Sequence, residues 1–320
     1  MIVVGAGISG LSISYFLSQN GIKHEIIERK FVGNKKDTSL VCENIRKFFD
    51  VENFVIEEFN TANFYYNGNF AFSVKSSKKM FLIDRNSFEK YIYKSIDKKF
   101  AKFSFFEEVI DVNIEKSEMI TSKRKIKFDF LIDASGSSFL VGKKFCNPKY
   151  VIAYEAIAKK VKDGINLFFD KKFSKNFFGW IVGYKNFSKI GIMDFGMKKE
   201  YFLNFLKNFN VKPKEVYGNL INISIPKKIF GKNFAIVGEA AGIVKNFSLG
   251  GINFAIISSF LLSKHLDNLK KYEGSVKKVF YSSMMKSKIL RFLFKNFDIR
   301  FFKPLRFFTK NVDPDFLIYI

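Results

Sequence analysis

The sequence predicts an α/β fold in which a parallel, nucleotide-binding sheet is interleaved with an antiparallel sheet. Two observations lead to this prediction. The chain opens with the buried-strand pattern Ile2-Val3-Val4, which leads into a glycine-rich turn and a helical pattern. Far along the chain, residues 234–237 read as another buried strand, and a Gly-Glu-Ala-Ala-Gly turn follows it. Short apolar runs without alternation are typical of parallel strands that are covered on both faces.

The opening turn has the spacing Gly5-x-Gly7-x-x-Gly10. Residues 8–17 have helical apolar spacing, and a second strand pattern ends at Glu28, about twenty residues after the glycines, as the dinucleotide-binding fingerprint requires. Gly5 allows the tight turn, Gly7 lets a pyrophosphate approach the backbone, and Gly10 lets helix and strand pack closely. Glu28 would accept the hydroxyls of an adenosine ribose and repel the 2′-phosphate of NADP. The alternative is a structural glycine turn in an unrelated α/β protein.

A second glycine segment, Gly238-Glu239-Ala-Ala-Gly242, follows the late strand pattern, and Gly250-Gly251-Ile252 opens the next helical pattern. An acid at a strand end can accept a hydrogen bond from a ribityl hydroxyl, and a helix N-terminus can stabilise negative charge on a reduced flavin. A nicotinamide enzyme needs only the first glycine motif, whereas FAD is long enough to need a second cradle. The two segments together predict FAD. Taken alone, the second segment could be an ordinary strand-turn-helix with glycine caps.

Length and composition favour a cytoplasmic, two-unit protein. The chain has 320 residues, of which 48% are hydrophobic, enough for a nucleotide-binding domain and a second unit that share a core. Cys42 and Cys146 are too few for a disulfide framework, which fits a reducing compartment. The first strand pattern begins at Ile2, so we expect no signal peptide. No apolar run reaches the roughly 18 residues that span a bilayer, so we expect a protein that is free or peripheral at the inner face of the membrane.

The net charge of +24 has three possible explanations. Lys, Asn, Ile and the 43 Phe residues are abundant, as an A/T-rich genome would produce, and no nucleic-acid motif gathers the basic residues, so we expect no nucleic-acid partner. Residues 286–308 mix Phe, Leu and Ile with Lys and Arg, a pattern of helices that lie in a membrane interface or cap a core. His24 and His265 are isolated, and no Cys/His cluster indicates a metal site.

The remaining patterns predict domains that interleave rather than follow one another. The predicted FAD-binding domain consists of residues 1–61, 80–147 and 231–268. The predicted substrate domain consists of residues 62–79 and 148–230, and residues 269–320 form a basic, helical C-terminal segment.

Alternation of apolar and polar residues predicts antiparallel strands over residues 62–83, with turns at Asn67-Gly68 and Ser76-Ser77. A second antiparallel sheet is expected within residues 150–225, and three strands within residues 103–133. Helical patterns cover residues 86–98, 198–210 and 251–268.

With these motifs the chain resembles the glutathione-reductase-type flavoproteins of the p-hydroxybenzoate-hydroxylase class. Within that class it is most similar to the geranylgeranyl reductase family, in particular the archaeal digeranylgeranylglycerophospholipid reductases, over most of residues 1–265. Cys42 falls where the reductases carry a Cys-Gly-type motif, and Asp84-Arg85-Asn-Ser-Phe88 is similar to their Arg-x-x-Phe segment. Ile132-Asp-Ala-Ser-Gly136 matches their Asp-Ala-x-Gly turn, and Gly179-Trp-Ile-Val with Ile190-Gly-Ile192 is similar to their Tyr-x-Trp-x-Phe-Pro segment and Gly-x-Gly pair.

The resemblance implies an FAD-binding, glutathione-reductase-type Rossmann-like domain interleaved with an antiparallel-sheet substrate domain, followed by a helical segment. It implies a reductase that uses reduced FAD to saturate isolated double bonds of geranylgeranyl chains in membrane-lipid precursors. Cys42 would donate a proton or shape the flavin site, or be a buried thiol that acts as a small apolar side chain. Trp180 would line the lipid pocket, or be an ordinary core residue. Together, motifs and resemblance place FAD contacts at Gly5, Gly7, Ser9, Gly10, Glu28, Cys42, Arg85, Val109, Gly238, Glu239, Gly250, Gly251 and Ile252.

Two other functions stay open at this point. One is a flavin monooxygenase of the same fold, which would consume oxygen and act on an aromatic or polyprenyl substrate. The other is a basic membrane- or nucleic-acid-binding protein that keeps a vestigial nucleotide fold. For the reductase we expect three partners: an isoprenoid lipid substrate, an electron donor that is NAD(P)H or a ferredoxin-like protein, and a membrane surface that meets the basic C-terminal segment.

Overall fold

The computed structural model describes residues 1–304 as a mixed α/β protein. In chain order the strands are β1 (Ile2–Val4), β2 (His24–Glu28), β3 (Leu40–Cys42), β4 (Val55–Tyr66), β5 (Asn69–Ile83), β6 (Ala101–Phe105), β7 (Val109–Asn113), β8 (Glu118–Thr121), β9 (Lys125–Lys127), β10 (Leu131–Asp133), β11 (Tyr150–Lys159), β12 (Gly164–Phe169), β13 (Gly179–Tyr184), β14 (Phe187–Asp194), β15 (Tyr217–Asn222) and β16 (Phe234–Ile236). The α-helices are α1 (Ile8–Gln19), α2 (Arg85–Ser95), α3 (Lys199–Lys207), α4 (Ile252–Lys264) and α5 (Leu269–Asn296).

Five parallel strands form the first sheet, in the order β16-β10-β1-β2-β6. The chain leaves β1 through α1 and reaches β2 on one side of β1, whereas β10 pairs with the other side. The strand order therefore reverses at β1. In open α/β sheets, ligands bind beyond the carboxyl ends of the strands at such a switch point. The predicted glycine turns follow β1 and β16 at this same edge.

The second sheet has eight strands, in the order β15-β11-β14-β13-β12-β4-β5-β3. Neighbouring strands are antiparallel except β12 and β4, which are parallel. One face is covered by α3, whose Phe202 and Phe205 pack with Ile181 and Ile190 of the sheet. The other face bounds the cavity described below. A third, small antiparallel sheet consists of β7, β8 and β9.

Two buried contacts fix the helices that flank the first sheet. The Ser259 hydroxyl of α4 donates a hydrogen bond to the Ser9 carbonyl of α1 at 3.0 Å. The fully buried Tyr272 of α5 donates its hydroxyl to the Ile236 carbonyl of β16 at 2.7 Å. Within residues 1–304, no helix combines the length and the apolar character needed to cross a bilayer.

The structure confirms the predicted fold class. The early and late buried strands lie side by side with β10 in one parallel sheet, and the helical segment predicted after residue 268 begins as α5. Residues 305–320 of that predicted segment lie outside the described residues. Asn67 and Gly68 both have left-handed backbone angles, with φ of +47° and +80°, and form the predicted hairpin turn between β4 and β5.

Three details of the strand prediction are wrong. Ser76 and Ser77 do not form a turn, because β5 continues through them. Its register jumps there instead, from Thr61 opposite Lys75 to Phe59 opposite Met80. Residues 101–133 contain five strands rather than three, since β8 and β9 form a hairpin of only four and three residues, too short for the sequence pattern to separate. The two predicted antiparallel groups form one eight-stranded sheet, joined by β12, in which the consecutive residues Phe168 and Phe169 are both buried and hide the alternation.

Candidate functional site

Both glycine segments line one cavity of about 430 Å³ between the first sheet and the eight-stranded sheet. Its lining includes both the turn after β1 and the sheet face that carries Trp180. The residues predicted from the sequence that line it are Gly5, Gly7, Ser9, Glu28, Arg85, Val109, Trp180, Glu239, Gly250, Gly251 and Ile252. The groove that an extended dinucleotide requires is therefore continuous from one glycine segment to the other.

The first glycine turn leaves space for a ligand at one position and none at another. Gly5 has a φ of +94°, and a Cβ there would lie 2.7 Å from the Ala134 carbonyl oxygen. A Cβ on Gly10 would lie 1.8 Å from the Gly5 carbonyl oxygen, so this glycine permits helix α1 to pack on the turn. A Cβ on Gly7 would meet no protein atom within 4 Å and would project into open space at the cavity wall. The turn thus fits a pyrophosphate that approaches the backbone at Gly7.

Glu28 ends β2 at the cavity and also braces the turn. One carboxylate oxygen, Oε2, accepts a hydrogen bond from the Ala6 backbone N–H at 2.7 Å. The other, Oε1, accepts one from the Lys30 N–H at 2.9 Å. Carboxylate oxygens have further lone pairs, so the side chain can still accept ribose hydroxyls.

At the second glycine turn, Glu239 is held by the neighbouring sheet. Its Oε1 accepts a hydrogen bond from the Asn222 backbone N–H at 2.8 Å, and the Asn222 side-chain amide donates to the Glu239 carbonyl at 3.1 Å. Burial raises the pKa of the Glu239 carboxyl. Gly238, with a φ of +61°, packs so closely on α1 that a Cβ would lie 2.1 Å from Ser9 Oγ. Asn222, which sequence reasoning missed, therefore positions the acid that is predicted to face the ribityl chain.

The N-terminus of α4 forms the cavity wall beyond Glu239. Gly251 is its N-cap residue and has no side chain to occupy the first helical N–H groups. Leu249, which also lines the cavity, has a left-handed φ of +57°, an unfavourable conformation for a branched side chain. The helix dipole and the free N–H groups suit a ligand edge that carries negative charge.

Three predicted contact residues do not line the cavity. Gly10 and Gly238 lie behind the turns and serve their packing. Cys42 is buried, and the Asn253 side chain holds its backbone by accepting from the Cys42 N–H and donating to the Cys42 carbonyl, both at 3.1 Å. Its Sγ lies 3.4 Å from the Nζ of Lys245, a residue that is itself buried. The proposed chemical role of Cys42 stays a prediction.

A charge cluster also lines the cavity. Arg85, the first residue of α2, donates its Nε to Glu89 Oε1 at 2.8 Å and also pairs through Nη1 with Asp37. Burial disfavours the charged guanidinium, but the two carboxylates outweigh it and raise the pKa of Arg85. Burial likewise disfavours the Asp37 carboxylate, but Arg85, a hydrogen bond from Ser39 and the charges of Lys189 and Lys35 together outweigh it and lower the pKa of Asp37. Both partners therefore stay charged.

The face of the eight-stranded sheet that bounds the cavity is mostly apolar. Its side chains alternate inward along β4, β11, β12, β13 and β14 and include Ala62, Phe64, Ala153, Ile165, Leu167, Trp180, Val182 and Met193. Trp180 lies flat across Gly191 of β14, where a Cβ would come within 2.1 Å of its ring. The indole N–H donates to Thr38 Oγ1 at 2.7 Å. The face therefore suits an apolar ligand.

Glu155 of β11 is the one acidic side chain on this apolar face, as far as residues 1–304 show. It is only 5% exposed. Thr38 Oγ1 donates to its Oε2 at 2.7 Å, and the Asn219 amide donates to its Oε1 at 3.3 Å. Sequence reasoning missed Glu155, although a signal was present. It follows Val151 and Ala153 in the inward-facing series of an otherwise apolar strand.

Comparison of the sequence with known proteins gives one family match, at the first glycine turn, and one relative that covers part of the chain. The NAD(P)-binding Rossmann-like domain family matches residues 3–32. An uncharacterized protein of Methanocaldococcus jannaschii is 30% identical over 203 residues, which are 55% of this chain and 51% of that protein. The chain thus spans about half the length of this curated relative.

Solved structures with the same fold cover almost the whole chain. A geranylgeranyl bacteriochlorophyll reductase-like protein from Thermoplasma acidophilum has a TM-score of 0.82 at 15% identity, over 95% of this chain and 89% of that chain. The flavin-dependent brominase Bmp2 has a TM-score of 0.74 at 14% identity, over 95% and 88%. PqsL from Pseudomonas aeruginosa, described as "a probable FAD-dependent monooxygenase", has a TM-score of 0.73 at 12% identity, over 96% of this chain and 99% of that chain. The chain therefore has the fold of flavin-dependent oxidoreductases and monooxygenases.

Proposed function

We propose that this protein is an FAD-dependent oxidoreductase that saturates isolated double bonds of geranylgeranyl chains in membrane-lipid precursors. The observation that supports this most directly is the single cavity that joins the Gly5–Gly10 turn to the apolar face of the eight-stranded sheet. The lining at the glycine turns suits a dinucleotide, and the apolar sheet face suits a hydrocarbon chain. The likeness in fold to a geranylgeranyl reductase-like protein adds support.

The residues present fit FAD in an extended conformation. The open space at Gly7 would receive the pyrophosphate, Glu28 the adenosine ribose, Glu239 a ribityl hydroxyl and the α4 N-terminus the pyrimidine edge. When bound in its reduced form, the flavin supplies hydride. The protein's own contribution is to exclude water with the apolar sheet face and to hold a proton near the reacting double bond.

We expect anaerobic, dithionite-reduced protein to saturate geranylgeranyl lipids in a single turnover. Mass spectrometry should show a gain of two hydrogen atoms for each saturated bond, in proportion to the flavin bound. Flavin-free protein from the same preparation is the control and should leave the lipid unchanged. A Cys42→Ser variant tests that residue in the same assay, and undiminished saturation would remove Cys42 from the mechanism.

The same assay in air separates the reductase from a monooxygenase of this fold. Substrate-dependent incorporation of oxygen, without saturation under anaerobic conditions, would contradict the reductase and favour the monooxygenase. A colourless protein that neither retains nor binds FAD would favour the non-enzymatic alternative. For the electron donor, we propose NAD(P)H docked transiently or a ferredoxin-like protein, since the sequence contains only one Gly-x-Gly-x-x-Gly motif.

We further propose that α5 brings the protein to an anionic membrane surface. Its outward side carries large apolar residues that are between 40% and 63% exposed, namely Tyr281, Met285, Ile289 and Phe292. The exposed basic residues beside them are Lys278, Lys286, Lys288 and Lys295. This combination suits an interfacial helix, because buried apolar area and attraction to anionic lipids add together.

Vesicle flotation tests this membrane contact. We expect binding to phosphatidylglycerol vesicles that weakens at high salt, and little binding to neutral vesicles. A Tyr281→Ser/Ile289→Ser/Phe292→Ser variant should lose at least half of the bound fraction, whereas Tyr201→Ser on α3, which is also exposed, should not. Equal flotation of both variants would contradict a role for α5.

A further inference from the structure

We infer that the carboxyl group of Glu155 donates the proton that completes saturation of the double bond. This inference rests on the proposed function and adds a catalytic residue to it. An isolated alkene accepts hydride poorly, so an acid has to protonate the second carbon as the first receives hydride. Such an acid has to lie at the apolar end of the cavity, remain protonated near neutral pH and regain its proton after each turnover.

The position of Glu155 meets the first requirement. It lies on the cavity wall in a row across neighbouring strands, since Glu155 pairs with Gly191 of β14, and Gly191 pairs with Trp180 of β13. The Trp180 indole fills the space above Gly191 and donates its N–H to the Thr38 hydroxyl. That hydroxyl in turn donates to the Glu155 carboxyl group. The carboxyl group is therefore fixed at the border between the apolar face and the polar loop that contains Thr38.

The absence of a cationic partner meets the second requirement. Among residues 1–304, Glu155 forms no ion pair, whereas the nearby Asp37 and Glu89 both pair with Arg85. Lys189 approaches, but its Nζ donates to the carbonyl oxygens of Asp37 and Thr38, at 2.9 and 3.0 Å. An acid that is buried without a direct ion pair favours its neutral form.

The charged groups around Glu155 agree with this geometry. Burial, and then the negative charge of Asp37, raise the pKa of Glu155 to about 7, against the opposing effects of the Thr38 and Asn219 hydrogen bonds and the charge of Lys189. The groups that face it or its neighbours are Asp37, Arg85, Lys189 of β14 and Tyr217 of β15. Burial and Glu155 raise the pKa of Tyr217 to about 12, and burial lowers the pKa of Lys189.

The third requirement is met by contact with the exposed loop. Asn219, which donates a hydrogen bond to Glu155, also donates to the Lys36 carbonyl at 2.8 Å in a surface segment.

In the reaction, one alkene carbon receives hydride from the flavin, which is oxidised, and the other forms a C–H bond as the Glu155 O–H bond breaks. The alkene gains two electrons and two hydrogens in total. The resulting carboxylate then takes a proton from solvent water.

The first test titrates Glu155 without flavin or substrate. Trp180 is the only tryptophan in the chain, and one hydroxyl separates it from Glu155, so its fluorescence reports the charge on that carboxyl. In flavin-free protein we expect an emission change with a midpoint at about pH 7. The change should be absent in Glu155→Gln and present in Glu25→Gln, a strand carboxyl elsewhere whose pKa is lowered. A midpoint that persists in Glu155→Gln would overturn the inference, because another group would then be responsible.

The second test measures single-turnover saturation by pre-reduced protein. We expect Glu155→Gln to bind FAD and accept dithionite electrons normally, yet to saturate the lipid at least about 100-fold more slowly. The wild-type rate should fall as the pH rises above about 7, since the donor must be protonated, and the residual Glu155→Gln rate should not follow that profile. Unchanged turnover in Glu155→Gln would overturn the assignment of Glu155 as proton donor and leave the proposed reductase function standing. If the wild type saturates no isoprenoid lipid, the proposed function fails, and the fluorescence titration still shows where the proton is held.

Discussion

Replacing Gly7 with alanine is expected to leave a folded protein that binds FAD about 10- to 100-fold more weakly, because an inserted methyl group typically costs about 1–3 kcal/mol where a tight contact existed. The added Cβ would meet no protein atom within 4 Å, so the turn itself is not disturbed. It would instead occupy the space that a pyrophosphate needs at the backbone. Flavin fluorescence quenching measures the affinity, and urea unfolding of the flavin-free protein measures the stability.

Gly10→Ala is the matched variant, since it adds the same methyl group three positions after Gly7, at a glycine that does not line the cavity. Its Cβ would lie 1.8 Å from the Gly5 carbonyl oxygen, so α1 has to shift away from the turn. We expect the free energy of unfolding of the flavin-free protein to fall by about 3 kcal/mol or more. If Gly7→Ala keeps the wild-type affinity for FAD, the nucleotide does not bind at this turn.

Replacing Arg85 with methionine is expected to lower the free energy of unfolding by about 3–5 kcal/mol at neutral pH. The Arg85 side chain is only 12% exposed and pairs with both Asp37 and Glu89, so its loss removes the counter-charge of Glu89, which is 2% exposed, and of the partly exposed Asp37. Urea unfolding of flavin-free protein measures the effect apart from any FAD contact. Arg29→Met is the control, because its pair with Glu108 is more than half exposed on both sides and is worth about 1 kcal/mol or less.

The Arg85 effect also has a defined pH dependence. The pKa of Asp37 is lowered in the folded protein, so the pairing adds stability above the ordinary value of 3.8 and loses it as the pH falls through the lower, folded value. The deficit of Arg85→Met should therefore shrink in acid, as the unpaired carboxyls become protonated. A deficit no larger than that of Arg29→Met at neutral pH would show that Asp37 and Glu89 are not stabilised by Arg85.

The parts of the fold that were predictable are those encoded within a few residues. The strand-turn-helix at Gly5–Gly10 needs glycine at fixed spacings, so the amino-acid sequence alone predicts it. Glu239 was predictable for the same reason, because it follows a buried strand within a glycine turn. These local motifs also determine one wall of the cavity.

The opposite wall depends on strands that are distant in the sequence. β12 pairs with β4 across about one hundred residues, and nothing within Gly164–Phe169 specifies that partner. Glu155 acquires its properties only when Thr38, Asn219 and Trp180 arrive from a loop and two other strands. Its inward position could be anticipated from alternation, but its proton affinity could not.

The clasp between Asn253 and β3 has a consequence for how a ligand enters. One amide side chain holds the N–H and the carbonyl of Cys42 and also the Asn44 side chain, so it joins the eight-stranded sheet to the start of α4. Hinging these layers apart would break three hydrogen bonds, each worth about 1 kcal/mol net. The surface segment at residues 33–36 is more exposed but is also held, by the Lys35 N–H on Asn86 and the Lys36 carbonyl on Asn219. Separation of the two layers at this clasp would therefore cost about 3 kcal/mol before any other contact is broken, so we expect a long ligand to enter without it.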